Sequence, residues 1–295
     1  MTSSMKKSSD TPPLIATRRP RQGLMQKLAA APHVLWAILF VIAPLIFVAY
    51  FSFSDANGSF TLENFTSLLS YKDAFLRSIS YSLIATLICF LIGYPLAYTI
   101  SNARPGHQKM LIMLVMLPMW INFLIRTYAI MKLLEDTGII NSILMKLTGG
   151  AIDPLHMINT PGAVIFGMVY DYLPYMVLPI YTVLSKMDPK LHEAAADLGC
   201  GKLQTLWKVT FPLSVSGIIS GVTMVFVPSI STFYISQKLG GGQYLLVGDA
   251  IESAFGNPNT YNVGAAMSLV LMVIVLICTA VMNHFGDGND EEVLL

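Results

Sequence analysis

The stretch Ala163-Val-Ile-Phe-Gly-Met-Val-Tyr-Asp-Tyr-Leu-Pro-Tyr-Met-Val-Leu-Pro-Ile-Tyr-Thr-Val-Leu184 holds a single charge, Asp171, in 22 residues. Crossing a hydrocarbon core of about 30 Å takes about 20 helical residues, so this run is predicted to span a membrane. Lipid cannot hydrogen-bond a backbone, which makes the run a helix rather than an open strand. Working outward, 34–53, 79–100 and 110–131 precede it and 215–235 and 263–282 follow, giving six runs of the same kind. Of the 295 residues, 54% are hydrophobic and 12% charged, against a charged content of roughly 25% in soluble domains. The fold class is therefore all-α: a polytopic membrane protein with six predicted transmembrane helices over 31–285, seated in a lipid bilayer.

Residues 1–30 are rich in Ser, Thr, Pro and basic side chains, a composition too polar to bury a core, and are expected to form a disordered arm. Residues 286–295 form an acidic tail. Cytoplasmic loops carry the excess of Lys and Arg in membrane proteins. Lys6, Lys7, Arg18, Arg19, Arg21, Lys27, Arg104, Lys109, Lys186, Lys190, Lys202 and Lys208 fall on one side, and Lys72, Arg77, Lys132, Lys146 and Lys238 on the other. Both termini and the loop 186–211 are therefore expected in the cytoplasm. The net charge of +1 hides this asymmetry and gives no reason to expect nucleic acid as a partner. The first apolar run carries Pro44 and bulky aromatics with no small-x-small site after it, so a retained helix is expected rather than a secretory signal. Cys89, Cys200 and Cys278 lie far apart, and neither a disulfide nor a metal set is expected.

Between the runs, Asp55-Ala-Asn-Gly58 is a turn signal, and the alternating 60–65 reads either as a membrane-surface segment or as an ordinary connector. The segment 139–147 is apolar at helical spacing and ends at Gly149-Gly150, which predicts a short interfacial helix. Gly240-Gly-Gly242 predicts a flexible turn before a surface helix. No Lys-Ser/Thr follows these glycines at phosphate-loop spacing, so no nucleotide site is expected.

Catalysis finds no constellation. His192-Glu193 begins like a zinc-protease helix, but the position of the second histidine is Ala196. The five histidines are scattered and no Gly-x-Ser-x-Gly elbow occurs.

An ionisable group inside an apolar helix costs at least about 2.5 to 3.5 kcal/mol at the bilayer centre, so it faces a bundle interior or a cavity. Arg126 and Asp171 are such groups. Two readings stand: an ion pair between the third and fourth runs, or an Arg126 that snorkels and leaves Asp171 for a cationic solute. Trp120, Asn122, Tyr128, Tyr172 and Tyr234, the last at the outer end of the fifth run, are with Asp171 the candidates for a translocation pathway. Aromatic faces hold ammonium groups through attraction worth about 0.5 to 2 kcal/mol each. The same residue types also form interfacial belts. Pro44, Pro95, Pro118, Pro174, Pro179 and Pro228 interrupt five of the six runs, as in a moving or pathway-lining bundle, and Gly217-x-x-x-Gly221 offers a face for close helix packing.

Asp188-Pro189 starts a helix that Gly199 ends, and Lys202 begins a second. Within this polar loop lie Glu193-Ala-Ala195, three residues, Gly199, nine residues, Val209, one residue and Phe211-Pro212. The spacing resembles the signature of the permease subunits of ATP-binding-cassette importers: Glu-Ala-Ala, three residues, Gly, nine residues, Ile, one residue, Leu-Pro. Val209 and Phe211 depart from it while keeping apolar character. The segments 84–95, 120–128, 198–205 and 233–236 are similar to the polyamine-importing branch of that family, which takes spermidine and putrescine, and to the first of its two permease subunits.

The resemblance implies the type I importer architecture, with a coupling helix carrying Glu193, Ala194, Ala195, Asp197 and Gly199 that fits a cleft in the ATPase subunit. It further implies two ATPase subunits, which bind the ATP and magnesium, a second permease subunit and an extracytoplasmic solute-binding protein. The setting it implies is a bacterial cytoplasmic membrane, with no catalytic site, metal or cofactor in this chain. Another small organic solute is the alternative within the family. From composition alone, an ion-coupled carrier and a membrane scaffold also stand.

Overall fold

The computed structural model describes residues 32–55, 57–149 and 153–287, with side chains through His284. The arm 1–30 and the tail beyond 287 lie outside the described residues. The chain divides into two units, 1–47 and 48–295, and the packing below is within the second. Along the described residues the helices in order are α1 (Pro32–Ser52), most of which lies in the first unit, α2 (Glu63–Ser101), α3 (Pro105–Trp120), α4 (Phe123–Leu134), α5 (Ile139–Leu147), α6 (Pro161–Leu184), α7 (Lys190–Asp197), α8 (Lys202–Leu213), α9 (Val215–Ile230), α10 (Tyr234–Leu239), α11 (Val247–Phe255) and α12 (Tyr261–Asp287).

Four of these, α1, α2, α6 and α12, are long and apolar enough to cross a membrane, and the number reaches six if α3 with α4–α5, and α8 with α9, each count as one bent span. The predicted third run, 110–131, is thus not one continuous helix. It turns by 92° between Trp120 and Phe123, where Ile121 and Asn122 are extended. The fifth run ends at Ile230, five residues early, and Tyr234 opens a separate helix instead of closing α9. The 139–147 helix forms as predicted, and α12 runs on to Asp287, two residues into the expected tail.

Prolines shape these helices in two ways. Pro95, Pro174, Pro179 and Pro228 lie inside α-helical segments. Pro44 and Pro212 instead follow π turns, Ile38–Ile42 and Leu206–Thr210, each closed by the residue just before the proline: Ala43 N–H to Ile38 O, and Phe211 N–H to Leu206 O. A helical proline lacks a donor and its ring strikes the carbonyl four residues back. The wider π turn moves that carbonyl aside.

The core centres on α6, which packs against both α2 and α9 while these two also touch each other. Ala85, Met168, Met176, Ile180 and Val225 are fully buried there. The approach of α9 to α6 is set by glycine. A Cβ at Gly217 would stand 2.9 Å from Val183 Cγ2 and 3.1 Å from the Pro179 carbonyl oxygen, and one at Gly221 would stand 3.1 Å from the Met176 carbonyl oxygen.

The Gly240–Gly242 turn forms with positive φ at Gly241 and Gly242, but α11 after it is not a surface helix. Its Val247, Asp249, Ala250 and Ala254 are buried, and the Val247 N–H donates to Ser78 Oγ of α2 at 2.7 Å. The Leu246 N–H donates to Asp249 Oδ2 at 2.8 Å. Burial pushes the Asp249 carboxyl from 3.8 up to about 6, against the lowering effect of that N–H and of the Ser236 hydroxyl.

Two outcomes follow from this packing. Gly217→Val forces α9 off α6 and is expected to cost about 1–3 kcal/mol, seen as a lower thermal midpoint of the detergent-purified protein. Gly106→Ala, whose Cβ meets nothing within 4 Å, should leave it unchanged. Protonated Asp249 favours the fold, because its folded pKa lies above the unfolded one; the contribution is complete below about pH 4 and is lost as pH rises to about 6. The midpoint should therefore fall between those values in the wild type, and fall less in Asp249→Asn, which keeps an acceptor for Leu246.

Candidate functional site

The Glu193 segment forms α7. Asp188 Oδ1 accepts the Lys190 N–H at 3.0 Å, satisfying a first-turn donor. At the other end, the Cys200 N–H donates to Ala195 O and the Gly199 N–H to Ala196 O, both at 2.9 Å. This double closure needs a left-handed residue, and Gly199 has φ +81°. A Cβ there would meet nothing within 4 Å, so the backbone conformation rather than space selects glycine. Glu193, Ala194, Asp197 and Gly199 are exposed, whereas Ala195 is buried and faces the chain's own bundle. Leu198 at 85% exposure and Leu203 at 69% flank Gly199. Sequence reasoning passed over these two leucines; their signal is an apolar side chain on each side of a helix-ending glycine in an otherwise polar loop.

A second group of candidates gathers at the 92° break. A broken helix leaves carbonyls on one side and N–H groups on the other without partners, and lipid supplies none. Here side chains supply both. Asn122 Oδ1 accepts the Leu124 N–H at 2.9 Å, capping α4. Arg126, one turn on, donates from Nη1 to the Pro118 carbonyl at 2.9 Å, placing a cation on the C-terminal end of α3. Its Nε pairs with Asp171 Oδ1 on α6. Arg126 is 8% exposed and Asp171 fully buried. The guanidinium also lies 6.0 Å from the ring centres of Phe123 and Tyr170. Arg126 thus joins both halves of the bent span to α6.

Tyr172, next to Asp171, is buried and its hydroxyl donates to Pro228 O near the end of α9 at 3.4 Å. Ser231 Oγ bonds the same carbonyl at 3.3 Å. Tyr234 at the head of α10 contacts Phe123 with ring centres 6.0 Å apart. Trp120 and Tyr128 face outward, 71% and 49% exposed. Two tyrosine rings each hold a lysine ammonium 5.6 Å from the ring centre: Lys132 over Tyr128 and Lys238 over Tyr234. The structure therefore brings Arg126, Asp171, Asn122, Tyr172 and Tyr234 to the helix breaks and leaves Trp120 and Tyr128 on the surface. Among the described residues no three His, Cys, Asp or Glu side chains gather as a metal set, and the three cysteines are unpaired.

Residues 16–288 match the family described as "Binding-protein-dependent transport system inner membrane component". The chain is 40% identical over 258 residues, 85% of its length and 90% of the relative's, to the spermidine/putrescine transport system permease protein PotB of Haemophilus influenzae. It is 39% identical over 249 residues, 81% of its length and 90% of the relative's, to the PotB of Escherichia coli K12. Among solved structures, a bacterial ABC transporter involved in import of the acidic polysaccharide alginate matches with a TM-score of 0.72 at 18% identity, over 89% of this chain and 95% of that one. The MetNI methionine ABC transporter, in an inward-facing conformation, matches with a TM-score of 0.56 at 16% identity, over 78% and 99%. These two likenesses establish the type I importer permease fold.

Removing Asp171 strands a buried guanidinium. Asp171→Ala is expected to cost about 3–5 kcal/mol, read as loss of monodisperse, folded protein after solubilisation. Arg126→Met combined with Asp171→Leu should recover only part of it, because the Pro118 carbonyl then loses its charged donor and keeps only the Ile121 N–H at 3.2 Å; full recovery would mean that the arginine cap on α3 contributes nothing.

Proposed function

We propose that this chain, which belongs to the binding-protein-dependent inner-membrane transport family as the multi-pass permease subunit of an ABC importer, moves polyamines of the spermidine and putrescine class. As such a subunit it has no catalytic activity and no cofactor of its own. The observation that carries the reading is α7: a short capped helix ended by a left-handed glycine, with Glu193, Ala194 and Asp197 turned outward and two exposed leucines beside it. A surface of that kind suits a cleft in a soluble partner. In our reading the partner is an ATPase subunit, two of which serve the complex together with a second permease subunit and an extracytoplasmic binding protein. Both termini and α7 then face the cytoplasm, an orientation that the Lys and Arg distribution supports.

Work reaches the bundle as a shift between two states. Reversing a population from 1:99 to 99:1 takes about 5.5 kcal/mol, which ATP binding at the partner subunits has to supply through α7. The polyamine assignment is supported by the relatives' substrate and by chemistry at the bent span. Tyr128 and Tyr234 already carry primary ammonium groups at 5.6 Å, the contact a polyamine nitrogen makes with an aromatic face. Trp120 and Tyr128 look outward from this single chain, where a second permease subunit would close a shared passage. Asp171, buried against Arg126, acts in this reading by holding the bent span, and Asn122 and Tyr172 by closing helix ends.

The test uses the complete importer in proteoliposomes. Binding protein loaded with spermidine or putrescine should stimulate ATP hydrolysis and drive uptake of the same amine. Stimulation by some other solute, with neither amine active, would overturn the substrate assignment.

A further inference from the structure

The helix assigned to ATPase docking has few ties to its own bundle. Within α7 only Ala195 is buried, and beside the first turn of the helix, at Pro189 and His192, lies a cavity of about 250 Å³ also lined by Tyr98, Asn102, Gln108 and Thr210. A helix that borders a cavity has room to shift on that side. One directional contact crosses this space. His192 Nε2 lies 3.1 Å from Thr210 Oγ1, and Thr210 is 1% exposed.

Thr210 sits where a displacement would have most effect. It is the last residue of the π turn Leu206–Thr210, and the 66° bend between α8 and α9 follows at Ser214. The Ser214 N–H donates to Thr210 O at 3.0 Å. Ser214 Oγ, fully buried, lies 3.1 Å from the Tyr94 hydroxyl on α2. Tyr94 also contacts Phe211 with ring centres 5.5 Å apart. Hydrogen bonds therefore tie α7 to the side chain of Thr210, the backbone of Thr210 to the bend at Ser214, and the side chain of Ser214 to α2.

We propose that His192 and Thr210 are positioning residues that form the joint between the docking helix and the bend at Ser214, converting displacement of α7 into reorientation of α9 against α2. The proposal rests on the reading of α7 as the ATPase-docking element. Contiguity alone does not demonstrate coupling; the bend has to respond when α7 is moved and to stop responding when the joint is cut.

The experiment places spin labels at Ser220 on α9 and Thr99 on α2, both exposed, in the complete importer with the native cysteines replaced. The distance between them is measured in the resting and the ATP-vanadate-trapped states. We expect a distance change in the otherwise wild-type protein, loss of more than half of it in His192→Ala and in Thr210→Val, and its retention in His192→Gln and Thr210→Ser. The double variant His192→Ala/Thr210→Val should be no worse than either single one, as for two ends of one contact. ATPase subunits should copurify with every one of these variants. A full distance change in His192→Ala, or effects that add in the double variant, would overturn the joint. If His192→Ala does not accumulate, the Thr210→Ser and Thr210→Val contrast alone decides between the same outcomes. Glu193→Ala tests the underlying reading separately: unchanged copurification and an unchanged distance shift there would remove α7 as the docking element, whatever the joint does.

Discussion

Hydrocarbon offers no hydrogen bond to a peptide group, and much of what is irregular in this chain answers that constraint. The π turns before Pro44 and Pro212 keep the backbone bonded while making room for the proline rings. The 92° break in the third run is capped on one side by Asn122 and on the other by Arg126. The end of α9 is closed by the hydroxyls of Ser231 and Tyr172. Polar side chains inside apolar runs are expensive, and here their first use is to serve the backbone of a neighbouring turn.

That use explains where sequence reasoning held and where it stopped. The apolar runs were legible because hydropathy over about 20 residues reflects bilayer thickness directly. The 139–147 helix and the Gly199 stop were legible because spacing and a single glycine carry them. The break at Ile121–Asn122 was not. Proline is no guide to it, since Pro95, Pro174 and Pro179 lie inside unbroken helices while Pro118 precedes a right-angled turn. What separates Pro118 from the others is the pair of side chains after it, an asparagine in capping position and an arginine within reach of the Pro118 carbonyl. Each side chain reads by itself as a polar residue facing a solute.

The candidate residues separate along the same line. Asn122, Arg126, Asp171 and Tyr172 are occupied with the chain's own backbone and with each other, and Trp120 and Tyr128 remain turned outward. Residue type could not make this separation, because an interfacial belt, a helix cap and an ammonium site draw on the same tyrosines and asparagines. The docking loop was easier to read, since its chemistry is local: Asp188 at one end of α7, Gly199 at the other, and exposed side chains between.

The π turn at 206–210 has a geometric consequence for the loop that precedes it. Successive residues of an α-helix point about 100° apart around the axis, and a π turn holds one more residue than the α turn it replaces. The turn absorbs that residue within itself, so the segment on the α7 side of Leu206 keeps the facing that an unbroken α-helix would give it. Deleting a single amino acid between 206 and 210 would let the turn close as an α turn and keep that facing, whereas the same deletion in the α-helical Lys202–Thr205 would swing the outward face of α7 by roughly a quarter turn. The azimuth of the loop is thus written in a residue count, at a distance from the side chains that the loop displays.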